Sequence, residues 1–338
     1  MYKIINYRNA LTHIEITNDL DFNVTLSNYG ASIYKIDAID KYGAVETVTL
    51  SPRMVSYYKN PMYYGLTIGR VAGRIPNAIF NIDNKEYRIW PPNDRGNLLH
   101  SGSYTIAYRT FDYEIESKEN KTIVTFSLHL KDMEDGYPGA LDLRVVYEVD
   151  LVEKSILLNY YAISSKDTLL NITNHSYFNL SGNLKNTIEK HHLLMNKECV
   201  ADLDNNLLIK GIIKAPKEFD FRKGMPIDKY LRSDLVLSKG SGGYDDIFTG
   251  NSPLHLELKD PSNGRELIID SDYKDVVIFT NNFESETLFP NMDKDRPYNG
   301  IAIEPCRYTR ILSDKGLVFK ANALYKHYIK YTFKVNGE

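Results

Sequence analysis

Strict alternation of apolar and polar residues dominates the chain and predicts β-strands. In "ALDLRVVYEVDL" Leu141, Leu143, Val145, Tyr147, Val149 and Leu151 share one face, while Asp142, Arg144, Glu148 and Asp150 take the other. "TIVTFSLHL" repeats the pattern with Val124, Phe126, Leu128 and Leu130 inward, which puts His129 on the wet face with Thr125 and Ser127. Turn residues mark two hairpins. Pro261-Ser262-Asn263-Gly264 separates Leu256 and Leu258 from Leu267 and Ile269, and Asp83-Asn84 divides "FNIDNKEYRIW". Further strands are predicted over 13–18, 23–28, 34–39, 46–50, 109–115, 155–164, 276–280, 300–304 and 325–334. Apolar residues at i, i+3, i+4 and i+7 are nowhere sustained for three turns, and only 228–238 suits a short helix. Many short strands with so little helix predict an all-β fold, a large antiparallel β-sandwich, and disfavour an α/β nucleotide-binding architecture. The 26 tyrosines against one tryptophan agree, since a tyrosine ring packs in a half-buried strand while its hydroxyl stays wet.

A chain of 338 residues can be two average domains or one large β domain. No internal repeat, low-complexity tract or Pro/Gly-rich linker divides it, so a single domain over 1–338 is expected. The segments 91–108, 202–226 and 283–299 are longer than hairpin turns, and long loops on a rigid sheet commonly carry sites. With a net charge of -3 and no block of like charge, nothing favours gripping nucleic acid or an anionic membrane; a small neutral ligand suits the chain better. The opening "MYKIINYRNALTHIEITNDL" has no signal-like apolar run, and no later stretch approaches the ~18 apolar residues of a membrane span. A cytoplasmic location is therefore expected, as a monomer or homodimer. Cys199 and Cys306, without a CxxC pair, support neither a disulfide framework nor a thiolate metal site, and both are expected to be reduced and structural.

Three stretches carry polar groups for which a sandwich core has no use: "GNLLHSG" with His100, "NHSYFNLSG" with His175 and "NGIAIEPC" with Glu304. Residues 171–182 surround His175 with Asn174, Ser176, Tyr177 and Asn179, too polar for an ordinary core strand. Glu304 follows Ile301-Ala302-Ile303 and precedes Pro305, which puts its carboxylate where a strand ends; the plain alternative is a surface glutamate. A histidine and a carboxylate in one cleft can act as general acid and base, each worth roughly 10²- to 10⁴-fold in rate. That pair suffices for moving protons on an uncharged sugar. Ser176 is a poor nucleophile candidate because no GxSxG elbow exists. A metal on His100, His175 and Glu304 ranks below the acid/base reading because no HxxxH or HxH pair is present, so neither metal nor cofactor is expected.

"GLTIGRVAGRIPNAIF" spaces Gly65, Gly69 and Gly73 by four, with Arg70 and Arg74 at the same interval. Either this is a turn region with solvent-facing arginines, or glycine lets the backbone approach a ligand while an arginine donates to its hydroxyls. In "GSGGYDDIF" Asp245 and Asp246 are adjacent on an extended chain, so at most one faces a shared cleft, unless the stretch is simply an acidic turn. His13, His191, His192, His255 and His327 are all expected on the wet side.

Taken together, "GLTIGRVAGRIPNAIFNIDNKEY", "NLLHSG", "EDGYPGALDLRVVYEV", "NITNHSYFNLSG", "GGYDDIF", "VVIFTNNF" and "GIAIEPC" resemble, in order, the aldose 1-epimerase (galactose mutarotase) family. The resemblance implies a large antiparallel β-sandwich with a sugar in an open cleft on one sheet. It implies an isomerase that interconverts the anomers of free aldohexoses such as galactose and glucose, with His175 as general acid and Glu304 as general base. His100, Arg74 and Asp245 match positions that hold sugar hydroxyls, and Phe279 matches an aromatic position near the substrate. The expected charges are an imidazolium and a carboxylate near their reference pKa values of about 6.5 and 4.3. Departures are His100-Ser101-Gly102 for the frequent "HGG", Gly73-Arg74-Ile75 for "NRI", and Pro305-Cys306-Arg307-Tyr308 for Thr-Gln after the glutamate. They spare the acid and base and bear on hydroxyl discrimination. Three rivals stand beside this reading. A mutarotase of a phosphorylated hexose needs a cation cluster, for which Arg70, Arg222, Arg307 and Arg310 cannot be placed from sequence. A sugar-binding or sensing protein needs no turnover, and a glycosidase normally needs two carboxyl groups.

Overall fold

In the computed structural model, residues 1–308, 311 and 316–335 are described, Tyr104 by its backbone alone. Among them, every strand pairing in the three large sheets is antiparallel. A nine-stranded sheet runs in the order Asp112–Lys118, Lys121–Leu130, Leu141–Asp150, Ser155–Ser164, Tyr325–Val335, Arg265–Ser271, Leu254–Lys259, His192–Met195 and Met225–Pro226. A six-stranded sheet runs Tyr177–Phe178, Ile301–Cys306, Asp275–Phe279, Asp245–Thr249, Cys199–Leu203 and Ile209–Lys214. The first 47 residues form a five-stranded meander from Tyr2–Asn6 to Val45–Thr47.

Period two explains the layering. Val124, Phe126, Val145, Tyr147, Leu158 and Ile329 of the large sheet meet Ile14, Val24 and Ile36 of the meander and Phe248, Val276, Ile278 and Ile303 of the six-stranded sheet in one buried cluster. The hairpin at Asp83-Asn84 forms as expected between Ile79–Ile82 and Lys85–Arg88, with φ of 48° and 62° at its two turn residues, the left-handed pair that Asp and Asn tolerate.

Other expectations change. The helix over 228–238 is two single turns, Asp228–Leu231 and Asp234–Leu237, separated by Arg232 and Ser233, whose hydroxyl caps the second by accepting from the Val236 N–H. The loop expected over 202–226 contains a hairpin strand, Ile209–Lys214. Its "IKGIIK" hides alternation because the strand is a largely exposed sheet edge interrupted by Gly211. His13 and His191 are buried rather than wet. His13 packs against Tyr7, Tyr34 and Tyr57, which cover the outer face of the meander, and burial pushes its pKa down to about 4. His191 accepts the Leu180 N–H through Nε2 at 2.9 Å. Among the described residues no helix is long and apolar enough to cross a membrane.

Candidate active site

The six-stranded sheet has one face in the core and one that lines a cavity of about 320 Å³, within the range of small-molecule sites. Paired residues on antiparallel strands share a face. Register pairs Asp245 with Phe279, Ile247 with Val277, Val277 with Glu304, and Ala302 with both Phe279 and Tyr177. Asp245, Ile247, Val277, Phe279, Glu304 and Tyr177 therefore point together into the cavity, while Asp246 points away and pairs with Lys239. A groove of similar volume on the outer face of the nine-stranded sheet, beside His129 and Tyr161, has no such convergence of buried titratable groups.

Glu304 does not close its strand. Ile301–Cys306 continues through Pro305, which faces Val276 on one side; on the other, the neighbouring strand Tyr177–Phe178 pairs only with Ala302 and Ile301. Pro305 thus stands where the ladder has an edge and a missing N–H is tolerated. His175 reaches the same cavity from just before Tyr177. Its N–H donates to Leu66 O and its carbonyl accepts from Gly65 N–H, so the backbone fixes the ring's origin. The polar stretch around it is wholly buried, and its two asparagine amides are paired: Asn174 Nδ2 donates to Gly65 O, and Asn179 Nδ2 donates to the carbonyls of Asn186 and Asn299.

His175 Nε2 lies 3.3 Å from Glu304 Oε1. The His100 ring stands 5.3 Å from the His175 ring at 86°, and Tyr63 packs on both. His100 Nδ1 accepts the Gly73 N–H at 3.1 Å, so the neutral ring carries its proton on Nε2. Arg74 Nε donates to Asp94 Oδ2 at 2.6 Å, and Nη2 lies 3.8 Å from Asp245 Oδ2. The six residues expected at the site, His175, Glu304, His100, Arg74, Asp245 and Phe279, all line this cavity. Arg70 does not: it is fully buried against Asp135, neither solvent-facing nor among the residues that line the cavity.

The charges differ from expectation. Burial pushes the Glu304 pKa up to about 8, aided by Asp245 and opposed by Arg74, while burial pushes the His175 pKa down to about 4. The ordinary values assumed from sequence presuppose water-accessible groups, and these side chains are only 4% and 6% exposed. His100 falls well below its ordinary value through burial, with His175 and Arg74 beside it. Burial opposes the Arg74 charge, yet Asp245 and Asp94 hold its pKa above the usual value.

Ligating atoms of His100, His175 and Glu304 all lie within 4.8 Å of one another, the spacing of a metal site. The donor chemistry does not fit one. His100 spends its Nδ1 lone pair on Gly73 and carries a proton on Nε2, so it has a donor rather than a ligand to offer.

The family model described as aldose 1-epimerase matches residues 12–332. The chain belongs to the aldose 1-epimerase family. A galactose mutarotase of Homo sapiens is 32% identical over 283 residues, 81% of this chain and 78% of that protein. Its Rattus norvegicus counterpart is 31% identical over 288 residues, 82% of this chain and 80% of that one. Among solved structures, a galactose 1-epimerase from Lactobacillus acidophilus matches with a TM-score of 0.85 and 26% identity over 99% of each chain. In this aldose 1-epimerase family member the cavity also takes Tyr63, Asp94, Tyr177 and Tyr308, which sequence reasoning did not single out as site residues. Tyr177 had a signal, standing two residues from His175 with period two; Asp94 sits in a polar loop whose sequence marks nothing.

Proposed function

We propose that this chain interconverts the α and β anomers of a free aldohexose, galactose or glucose, by opening and reclosing the pyranose ring. The contact between His175 Nε2 and Glu304 Oε1, inside a cavity flanked by Arg74, His100 and Asp245, is the observation that carries this reading. One group removes the C1 hydroxyl proton while the other delivers a proton to the ring oxygen. The bond from C1 to that oxygen breaks, C1 becomes a carbonyl, and rotation about C1–C2 presents its other face. Reclosure with the roles reversed returns both protons, so the pair ends as it began.

Glu304 is assigned the C1 hydroxyl and His175 the ring oxygen, with His100 Nε2–H and the Arg74 guanidinium donating to sugar oxygens. With burial raising the Glu304 pKa and lowering that of His175, the shared proton is assigned to Glu304 beside a neutral imidazole before the sugar binds. A carboxylate with an imidazolium has the same proton count, and sugar hydroxyls hydrogen-bonded to the pair favour that charged form. The two groups titrate as a pair.

The pH dependence has a definite sign. As pH falls through about 4, His175 gains a second proton for the pair and no base remains; as pH rises through about 8, Glu304 loses the last proton and no acid remains. The profile of kcat/KM, followed by polarimetry over the spontaneous rate, is expected to be flat between these limbs. An acid limb at the ordinary histidine value would refute the assignment of a buried pair.

Several features favour a neutral sugar over a phosphorylated one. Among the described residues the cations lining the cavity are Arg74 and Arg95, with Asp94 and Asp245 as neighbours. Arg70 is spent on Asp135, Arg222 pairs with Asp220 at the surface, and Arg307 is not among the lining residues; Arg310 lies outside the described residues. Anomer exchange measured by NMR on galactose, glucose and glucose 6-phosphate is expected to be accelerated for the free sugars. Faster exchange of the phosphate would replace this reading, and binding without acceleration would make the chain a sensor. We also infer one domain over the chain, because the meander and both larger sheets close a common core.

A further inference from the structure

We propose that Tyr308 is a positioning residue of the sugar site, holding Arg74 and, through Gly73, the His100 ring; this rests on the reading that the cavity receives an aldose. Tyr308 is buried two residues beyond the strand that carries Glu304, and it lines the cavity. Its hydroxyl accepts the Arg74 N–H and donates to the Arg74 carbonyl, each at 2.5 Å. One phenol thus clamps both backbone groups of the residue whose guanidinium reaches Asp94 and approaches Asp245. The ring lies against Gly73, where a Cβ would come within 2.8 Å of its carbons, and Gly73 has a φ of +88°. Gly73 in turn donates its N–H to His100 Nδ1 and accepts the His100 N–H at its carbonyl.

These contacts join residues that lie far apart in the sequence. Glycine where the family pattern has asparagine and a tyrosine four residues after the glutamate form one unit: the ring fills the space left by the missing side chain, and the hydroxyl fixes the next residue. With its donor and its acceptor both committed to Arg74, the phenol has little left for the sugar and acts through the arginine. The device also ties the Glu304 strand to the hydroxyl-binding segment.

Tyr308→Phe keeps the ring over Gly73 and removes both hydrogen bonds. KM for galactose is expected to rise about tenfold, as for the loss of one to two hydrogen bonds' worth of alignment, with kcat within about threefold of wild type and both pH limbs unmoved. A purely structural tyrosine would instead lower Tm and leave KM within about twofold, which would overturn the proposal, as would a fall in kcat at constant KM. Gly73→Ala provides a second test: its methyl group displaces the ring, and the same KM rise is expected, whereas an unchanged KM overturns the clamp. Galactose binding to Glu304→Gln and to Glu304→Gln/Tyr308→Phe, read by saturation-transfer NMR, separates the two levels of the argument. Equal binding by both, with a wild type that accelerates anomer exchange, overturns the role of Tyr308 alone. No galactose binding by either variant, with no acceleration by wild type, removes the sugar-site reading and this proposal together.

Discussion

Glu304→Gln and His175→Asn are each expected to slow galactose mutarotation by at least two orders of magnitude while leaving the fold intact. The magnitude is that of a single general acid or base, roughly 10²- to 10⁴-fold. Glutamine matches the shape of glutamate and keeps its place opposite Val277, but it can neither give nor take a proton near neutrality. Burial disfavours the ionised Glu304 and raises its pKa, so folding carries a cost that grows from about pH 4.5 to about pH 8 and stays in full above it; the neutral amide removes that cost, and Tm is expected to stay level or rise. His175→Asn is similarly mild for the fold. The residue's hydrogen bonds to Leu66 and Gly65 are made by its backbone, and Nδ1 is buried with no hydrogen-bond partner to lose. Because one proton circulates between the two groups, the double variant should be little worse than either single one. Polarimetry with a thermal melt checks all three; near-normal turnover in a folded single variant would falsify the assignment.

Local pattern made much of this site legible, and long-range packing hid the rest. Period two separated Asp245 from Asp246 correctly, because facing on a strand depends only on the residue itself. The same rule misplaced His13, since alternation tells which face a residue takes and not whether three tyrosines cover that face. Pro305 suggested a strand end at Glu304. The strand runs on because its neighbour on one side is two residues long, which no local signal could reveal. His175 and Glu304 meet because Tyr177 pairs with Ala302, a register set by sheet order. Their perturbed titration follows from burial around that meeting point, so a sequence that supplied both residues gave no sign of the shifts. The Tyr308 clamp belongs to the same class: the sequence shows Gly73 as a deviation, and only its contact with Tyr308 makes the two one device.

Asp135→Leu is expected to destabilise the protein by about 3–5 kcal/mol, the cost of leaving a buried charge without its partner. Arg70 Nε donates to Asp135 Oδ2 at 2.7 Å, with both side chains essentially excluded from solvent. Arg70 Nη1 has further acceptors in Pro138 O and Thr168 Oγ1, and Nη2 is buried with no hydrogen-bond partner; among the described residues Asp135 is the carboxylate in ion-pair contact with this guanidinium. An arginine cannot shed its proton to escape, and the whole penalty stays in the folded state. The reverse substitution is expected to cost less. In Arg70→Met the carboxyl that remains already has a pKa raised by burial, the Arg70 charge being what restrains it, and it can become neutral by taking a proton. Stability of Arg70→Met should then decline as pH rises, because its buried acid ionises, while that of Asp135→Leu should show no such dependence. Urea unfolding at pH 5 and pH 8 distinguishes them. An Asp135→Leu variant as stable as Arg70→Met at both pH values would show that the guanidinium finds another anion or water. The effect should reach the site as well, since Arg70 O accepts the Asn171 N–H and the segment from Val71 leads directly to Gly73 and Arg74. A weaker anchor at Arg70 is therefore expected to raise KM for galactose before it lowers kcat.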